Sequence, residues 1–365
     1  MNKPYFVQVI ARNYLKNLMP PVPMEENPRF LHDLDAPSFE AGFAALHALM
    51  ENLYGDIGEK PESFGLLLKD DNGKYENNPD FRNSELSFLK MPNLLFALGA
   101  VGVLQPDRTL LVAGKHLLAA AKALKIPVTG LTILLEKLQG YGFEIKGLGK
   151  TVKPGDTIAL AHTASLLTVP LKAMAEAVLE TNDGKINKPK YLFYLMHQGL
   201  LENEKVKVPK LPVESVFRAV SPADRANAVA LHESVAGIAK AAVKAGGSGG
   251  GICTNLWTAT YTGTKSKKVL MSLHVDGDNF FVKLNLYHIG SYMPVVAQLP
   301  GKMQQSIGQN GLDCGRCNTR CVGGIAFEME GKAYNKCRCS AFIFKDLTAE
   351  DVIYCRHLLA EELAF

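Results

Sequence analysis

The chain has no apolar run long enough to span a bilayer. Its longest nearly uncharged stretch, Pro92 to Pro106, falls short of the roughly 20 residues a spanning helix needs, and Gly99 and Gly102 interrupt it. The first residues, Met1 to Val7, meet Arg12 and Lys16 before any apolar signal core develops. Charge bias is also small. The net charge is +4 over 365 residues, so binding to nucleic acid or acidic lipid would need a local basic patch. Nine histidines are scattered, with no His-x3-His or His-Glu-x2-His pair. No serine–histidine motif, carboxylate pair or phosphate loop rises above background. The glycine run at 246–251 has no Lys-Ser/Thr after it and follows an expected helix rather than a strand, so it reads as a connector. These absences predict a cytoplasmic chain without membrane segments. No enzyme class can be read from it; catalytic residues and partners stay unknown.

What the chain does have is cysteine in one place. Of seven cysteines, Cys314, Cys317, Cys321, Cys337 and Cys339 crowd one short stretch, while Cys253 and Cys355 stand apart. A secreted disulfide scaffold would be short, with an even number spread along it. The spacing Cys-x2-Cys-x3-Cys, then Cys-x-Cys after a turn, favours metal ligation or redox chemistry. Two thiolates two residues apart can share an ion, and a second pair returned by a hairpin can complete a tetrahedron. Ile325–Met329 and Lys332–Tyr334, around Glu330-Gly331, supply that expected hairpin. Arg316, Arg320, Lys336 and Arg338 lie among the ligands and would favour thiolates. Zinc is the expected ion. An iron–sulfur cluster uses the same ligands, a dithiol switch at Cys314 and Cys317 is a third reading, and five reduced thiols a fourth. Five cysteines for four positions leave one spare. Cys355 has helical spacing and is expected in the core. His357 could reach the cluster, and His274 and His288 are expected to pack or face solvent.

Periodicity predicts an α+β fold. Residues 1–205 are expected to be a mainly helical domain, 206–251 a linker and long helix, and 252–365 an α+β domain with the cysteine site. In the first, Ser38–Tyr54 has apolar residues on one helical face. Helices are expected at Thr109–Lys125, Leu131–Gln139, Val169–Glu180 and Lys188–Leu200, and strands at Phe143–Leu148 and Thr157–Ala161. Helix, turn, helix, strand, turn, strand makes residues 86–165 a winged-helix-like unit. Lys146, Lys150 and Lys153 could touch phosphates there, so a DNA-binding regulator is an alternative function. Ser221 should cap a helix running to about Ala245. Val269–Val275 and Phe280–Leu286 alternate around Asp276-Gly277 as a β-hairpin, and Leu256–Tyr261 adds a third strand. Short helices are expected at Ser291–Gln298 and Lys302–Ile307. Thr348 and Asp351 form a capping box for the last helix.

The stretch Cys314–Phe344 with that helix resembles C-terminal cysteine-rich modules of uncharacterised bacterial proteins. The shared pattern is Cys-x2-Cys-x3-Cys, a Gly331-Lys332-x-Tyr334 turn, Cys337, Phe342 and Phe344, then the helix. The resemblance covers about the last fifty residues; it implies a folded module and no particular activity. The function expected from the sequence is that of a metal-binding protein, zinc-loaded and regulatory in use, with an iron–sulfur sensor as the alternative.

Overall fold

The computed structural model describes residues 4–21, 23–24, 29–74, 78–186, 191–202, 213–217, 220–245, 257–276, 279–310, 312–315, 323–338 and 342–365. The fold is α+β. The chain divides into two compact units, Met1–Leu211 with Gly246–Thr254, and Pro212–Ala245 with Asn255–Phe365. Among the described residues no helix is long and apolar enough to cross a membrane.

The first unit is mainly helical. Its elements are α1 (Phe6–Lys16), α2 (Ala36–Glu59), α3 (Pro79–Phe88), α4 (Lys90–Val101), β1 (Val103–Leu104), β2 (Leu110–Ala113), α5 (Gly114–Ala123), α6 (Leu131–Gln139), β3 (Phe143–Lys146), β4 (Thr157–His162), α7 (Thr168–Thr181), α8 (Tyr191–Tyr194) and α9 (Gly199–Glu202). Asp35 starts α2 by accepting the Ser38 N–H at 2.7 Å, satisfying an otherwise orphaned helix donor. The helix then buries Phe39, Phe43, Leu46, Met50 and Leu53, the face its spacing predicts. Helix α1 buries Phe6, Val7, Ile10 and Tyr14. The Tyr14 ring lies 4.6 Å from Phe88 and 5.7 Å from Tyr54. Each such aromatic stabilises the unit by about 2–3 kcal/mol through burial. Helices α4 and α7 approach closely at Gly99, where a Cβ would meet the Leu171 carbonyl oxygen at 2.7 Å.

Two expectations in this unit are corrected. The helix expected from Thr109 begins only at Gly114, because Leu110–Ala113 pair with β4, from Leu110↔Leu160 to Ala113↔Thr157. Burial alternates along that strand, and the cross-strand partner outweighs a helix preference of a few tenths of a kcal/mol per residue. The resulting antiparallel sheet has the order β1-β2-β4-β3. The helix expected over Lys188–Leu200 is broken: residues 187–190 lie outside the described set, and α8 and α9 are separated where Met196 takes φ +56°. There the Gly199 N–H donates to His197 Nδ1 at 3.1 Å. The expected linker falls mostly at 203–212, and the glycine run at 246–251, both outside the described residues.

The second unit contains α10 (Pro222–Ser234), β5 (Ala239–Ala245), β6 (Trp257–Gly263), β7 (Val269–Asp276), β8 (Asn279–Leu284), α11 (Met293–Val296), α12 (Gly301–Gln309), β9 (Ile325–Met329), β10 (Lys332–Lys336), β11 (Phe342–Lys345) and α13 (Ala349–Leu363). Five strands form an antiparallel sheet in the order β11-β8-β7-β6-β5. The predicted hairpin is β7–β8, with Val275 opposite Phe280. One face buries Trp257, Ala259, Tyr261, Met271, Leu273, Val282, Leu284, Phe342 and Phe344.

Here too a helix is shorter than expected. Ser221 caps α10, accepting the Asp224 N–H at 3.1 Å, but α10 ends at Ser234 and does not reach Ala245. Gly237 turns the chain with φ +80°, and Ala239–Ala245 pair residue by residue with β6. The alanine- and lysine-rich sequence favours helix locally, and a seven-residue ladder overrides it. The helix expected at Ser291–Gln298 contracts to a 3-10 turn, Ile289–Ser291, followed by α11. Helix α13 starts with the predicted capping box of Thr348 and Asp351.

Candidate metal centre

The cysteine hairpin is a two-stranded antiparallel ladder. Lys332 pairs with Met329 and Lys336 with Ile325, so Glu330-Gly331 is the turn, and both residues take positive φ. A two-stranded ribbon alone is marginal in water, and this one leans on neighbours. Gly308 of α12 sits where a Cβ would come within 3.0 Å of the Tyr334 hydroxyl, and Gly290 where one would meet the Ala326 carbonyl oxygen at 2.9 Å. Phe327 stacks on Tyr334 at 5.1 Å.

Beyond β10 the ladder continues by one isolated bridge, Asp313 opposite Lys336. The Cys314 N–H donates to the Asn335 carbonyl and the Cys337 N–H to the Leu312 carbonyl, each at 2.8 Å. This register makes Cys314 and Cys337 diagonal neighbours on one face of the bridge, with Asp313 and Lys336 on the other. Both cysteines are half-buried and free. Gly324 closes the loop that leaves Cys314: a Cβ there would meet Asn335 Oδ1 at 2.0 Å and the Cys314 Cβ at 2.7 Å. Only glycine fits at that approach.

One of the four expected cations, Lys336, is engaged away from the thiols. Lys336 is buried, and its Nζ lies 3.0 Å from Asp313 Oδ1, on the face away from the thiols. Arg338 is exposed. Cys317, Cys321 and Cys339, with Arg316 and Arg320, lie outside the described residues, as does Cys253. Among the described residues no group of three or more His, Cys, Asp or Glu side chains could hold a metal ion.

Among the remaining candidates, Cys355 is fully buried, and burial, with the Asp351 charge second, pushes its thiol up to about 12; a thiol held protonated is a poor ligand. His357 is exposed. His274 is buried, with Ser272 Oγ 2.8 Å from its Nε2 and Thr258 Oγ1 3.2 Å from its Nδ1. Burial and nearby Lys283 push it down to about 4, so it is neutral at pH 7. His288 Nδ1 lies 2.8 Å from Glu362 Oε1. Glu362 also accepts the His288 N–H at 3.0 Å and the Tyr292 hydroxyl at 2.9 Å. Burial and this carboxylate raise the Tyr292 phenol far above its usual range. Glu362 was not singled out in the sequence, since its partners lie 70 and 74 residues away and no local pattern marks them.

In the first unit, Lys146, Lys150 and Lys153 are exposed. Helix α6 turns Ile133 and Glu136 outward, which offers few groups for reading base edges. Comparison of the chain with protein-family models, with curated proteins and with solved structures yields no match.

Proposed function

We propose that this chain is a metal-binding protein whose C-terminal knuckle takes one zinc ion through thiolates drawn from Cys314, Cys317, Cys321, Cys337 and Cys339. The observation that carries the reading is the Asp313–Lys336 bridge, which puts Cys314 and Cys337 diagonally on one face. Diagonal Cβ atoms lie within about 7 Å, and two sulfurs on one zinc lie about 4 Å apart, given Zn–S bonds of about 2.3 Å. Side-chain rotation closes the difference. Covalent reach supports the other ligands: Cys317 is three residues from Cys314, Cys321 three from Gly324 and Cys339 two from Cys337. At roughly 3.5 Å per residue, each can arrive at one ion. The ion is structural in this reading, because thiols facing one another across a marginal ribbon contribute little by packing, and metal binding supplies folding free energy.

The test is metal analysis of full-length protein purified without added metal. One zinc per chain is expected, with loss to well below half in Cys314→Ser and Cys337→Ser. Zinc and iron both far below one per chain, with no structural change under chelator, would defeat the proposal. Stoichiometric iron with visible absorption after anaerobic purification would replace zinc by an iron–sulfur cluster.

A further inference from the structure

The five-stranded sheet has a second face, opposite its buried one, and its chemistry is uneven. Register places Thr258, Thr260 and Thr262 of β6, Ser272 and His274 of β7, Phe281 and Lys283 of β8, and Ile343 and Lys345 of β11 on this side. The three threonines, Phe281, Lys283 and Ile343 are half-buried, while Lys240 of β5 and Lys345 are exposed. The middle of the face is closed by its own contacts. His274 stacks on Phe281 at 4.7 Å and 3° and meets the Ser272 and Thr258 hydroxyls. Lys345 Nζ lies 6.0 Å from the centre of the same Phe281 ring.

Charge on these strands is one-sided. The five strands and the β6–β7 turn together carry seven lysines and a single carboxylate, Asp276. In that turn Lys265, Lys267 and Lys268 are all exposed. Among the described residues, Lys172, Lys302 and Lys336 form ion pairs; Lys240, Lys265, Lys267, Lys268, Lys283 and Lys345 form none, and few carboxylates lie beside them on these strands. Lys240 and Lys283 stand three strand spacings apart across the sheet and two residues apart along it, about 16 Å, a span of two or three nucleotides of extended backbone.

We infer that this lysine-rimmed sheet face is a binding surface for single-stranded nucleic acid. The lysines meet phosphates, the half-buried Thr260 and Thr262 hydroxyls hydrogen-bond sugar or base edges, and Phe281 offers a ring to stack on. Its other ring face is already held by His274, so the ring is set before a ligand arrives. Lys345, on a flexible stem, can move aside for a base and follow its phosphate. Cations on the rim of a sheet face that carries an aromatic suit a strand whose bases are unstacked. A duplex hides those bases, and a lipid surface offers no ring to stack.

The experiment is fluorescence anisotropy of labelled oligo(dT) and oligo(U) 20-mers with the full-length protein, from about 50 to 200 mM salt. Saturable binding that weakens steeply with salt is expected. Changing Lys240, Lys283 and Lys345 together to Glu should weaken it at least tenfold. It should also flatten the slope of log affinity against log salt by about two, since each phosphate contact on a single strand contributes about 0.7. Phe281→Ala should lose about tenfold through stacking with the salt slope kept, and Phe281→Tyr should restore binding; the lysine positions carry the test if the alanine variant does not fold. Lys146, Lys150 and Lys153 changed to Glu should leave binding intact. Absence of binding at 50 mM salt, or binding indifferent to the lysine changes on the sheet, would overturn the inference. So would tighter binding to duplex, or equal binding to vesicles of anionic lipid. Zinc content is read separately, so failure here leaves the metal reading standing, and the reverse.

Discussion

Glu362 is a carboxylate 4% exposed at its side chain, near the end of the last helix, and it gathers three donors. Replacing it by Ala removes the acceptor for the Tyr292 hydroxyl, the His288 N–H and the His288 ring. Hydrogen bonds to a buried charge contribute about 1.5–3 kcal/mol each. The imidazole bond is discounted because the His288 side chain is 36% exposed and solvent competes for it. The other two, with lost packing, put Glu362→Ala at about 3–4 kcal/mol. Glu362→Gln keeps an acceptor oxygen and should cost about 1–2 kcal/mol; Tyr292→Phe, which deletes one donor and leaves the carboxylate paired, about 1 kcal/mol. The assay is built into the chain. Trp257 is its single tryptophan, fully buried in the sheet of the second unit, so intrinsic fluorescence in urea reports that unit alone. With a slope of about 2 kcal/mol/M, Glu362→Ala should lower the midpoint by about 1.5–2 M. A shift below about 0.5 M would refute the argument, because it would mean that the network is replaced by water at no cost.

Three further outcomes follow from other sites. The His274 imidazole is held down to about 4 when folded against about 6.5 when unfolded, so between those values the unfolded chain binds the extra proton. Stability is therefore lost as pH falls from about 6.5 towards 4, by at most about 3 kcal/mol; His274→Gln should flatten the Trp257 unfolding midpoint over that window, and an unchanged pH dependence would contradict it. Gly114→Ala places a Cβ 2.0 Å from the Lys153 carbonyl oxygen, and should destabilise the first unit by about 2–3 kcal/mol, read as a lower melting temperature by circular dichroism. Thr348→Ala deletes the cap that accepts the Asp351 N–H at 3.2 Å and should cost about 1 kcal/mol in the Trp257 urea curve.

The parts legible in the sequence were those whose information is local. The β7–β8 hairpin carries strict alternation, α2 a clean apolar face, and α13 a three-residue capping signature. Where the sequence misled, a distant partner decided. Residues 239–245 have helical composition and become a strand because β6 offers a full ladder; Leu110–Ala113 do so because of β4. Helix α1 hid because its apolar face, Phe6, Val7, Ile10, Ala11 and Tyr14, spans only two turns, and packing against α2 and against Phe81 of α3 holds it. At the cysteine site the hairpin and its turn were readable from spacing. The role of Gly324 was not, since nothing local says that its backbone must pass the Cys314 Cβ.

The two proposals meet at β11. This four-residue strand begins five residues after Cys337 and pairs with β8 from Phe342↔Leu284 to Lys345↔Phe281. It therefore carries both the last strand of the sheet and the cation beside the Phe281 ring. Its own ladder is short, and edge strands of that length contribute little alone. Phe342 and Phe344 anchor it in the core. If zinc fixes Cys337 and Cys339, it restrains the chain three residues before β11 and lowers the entropy cost of pairing that strand. Metal removal should then loosen Lys345 first and leave β5–β8 intact. The readout is a modest, metal-dependent change in oligonucleotide affinity that vanishes in Lys345→Ala. An effect of chelator that persists in that variant would show that the knuckle acts on the sheet by some route other than β11.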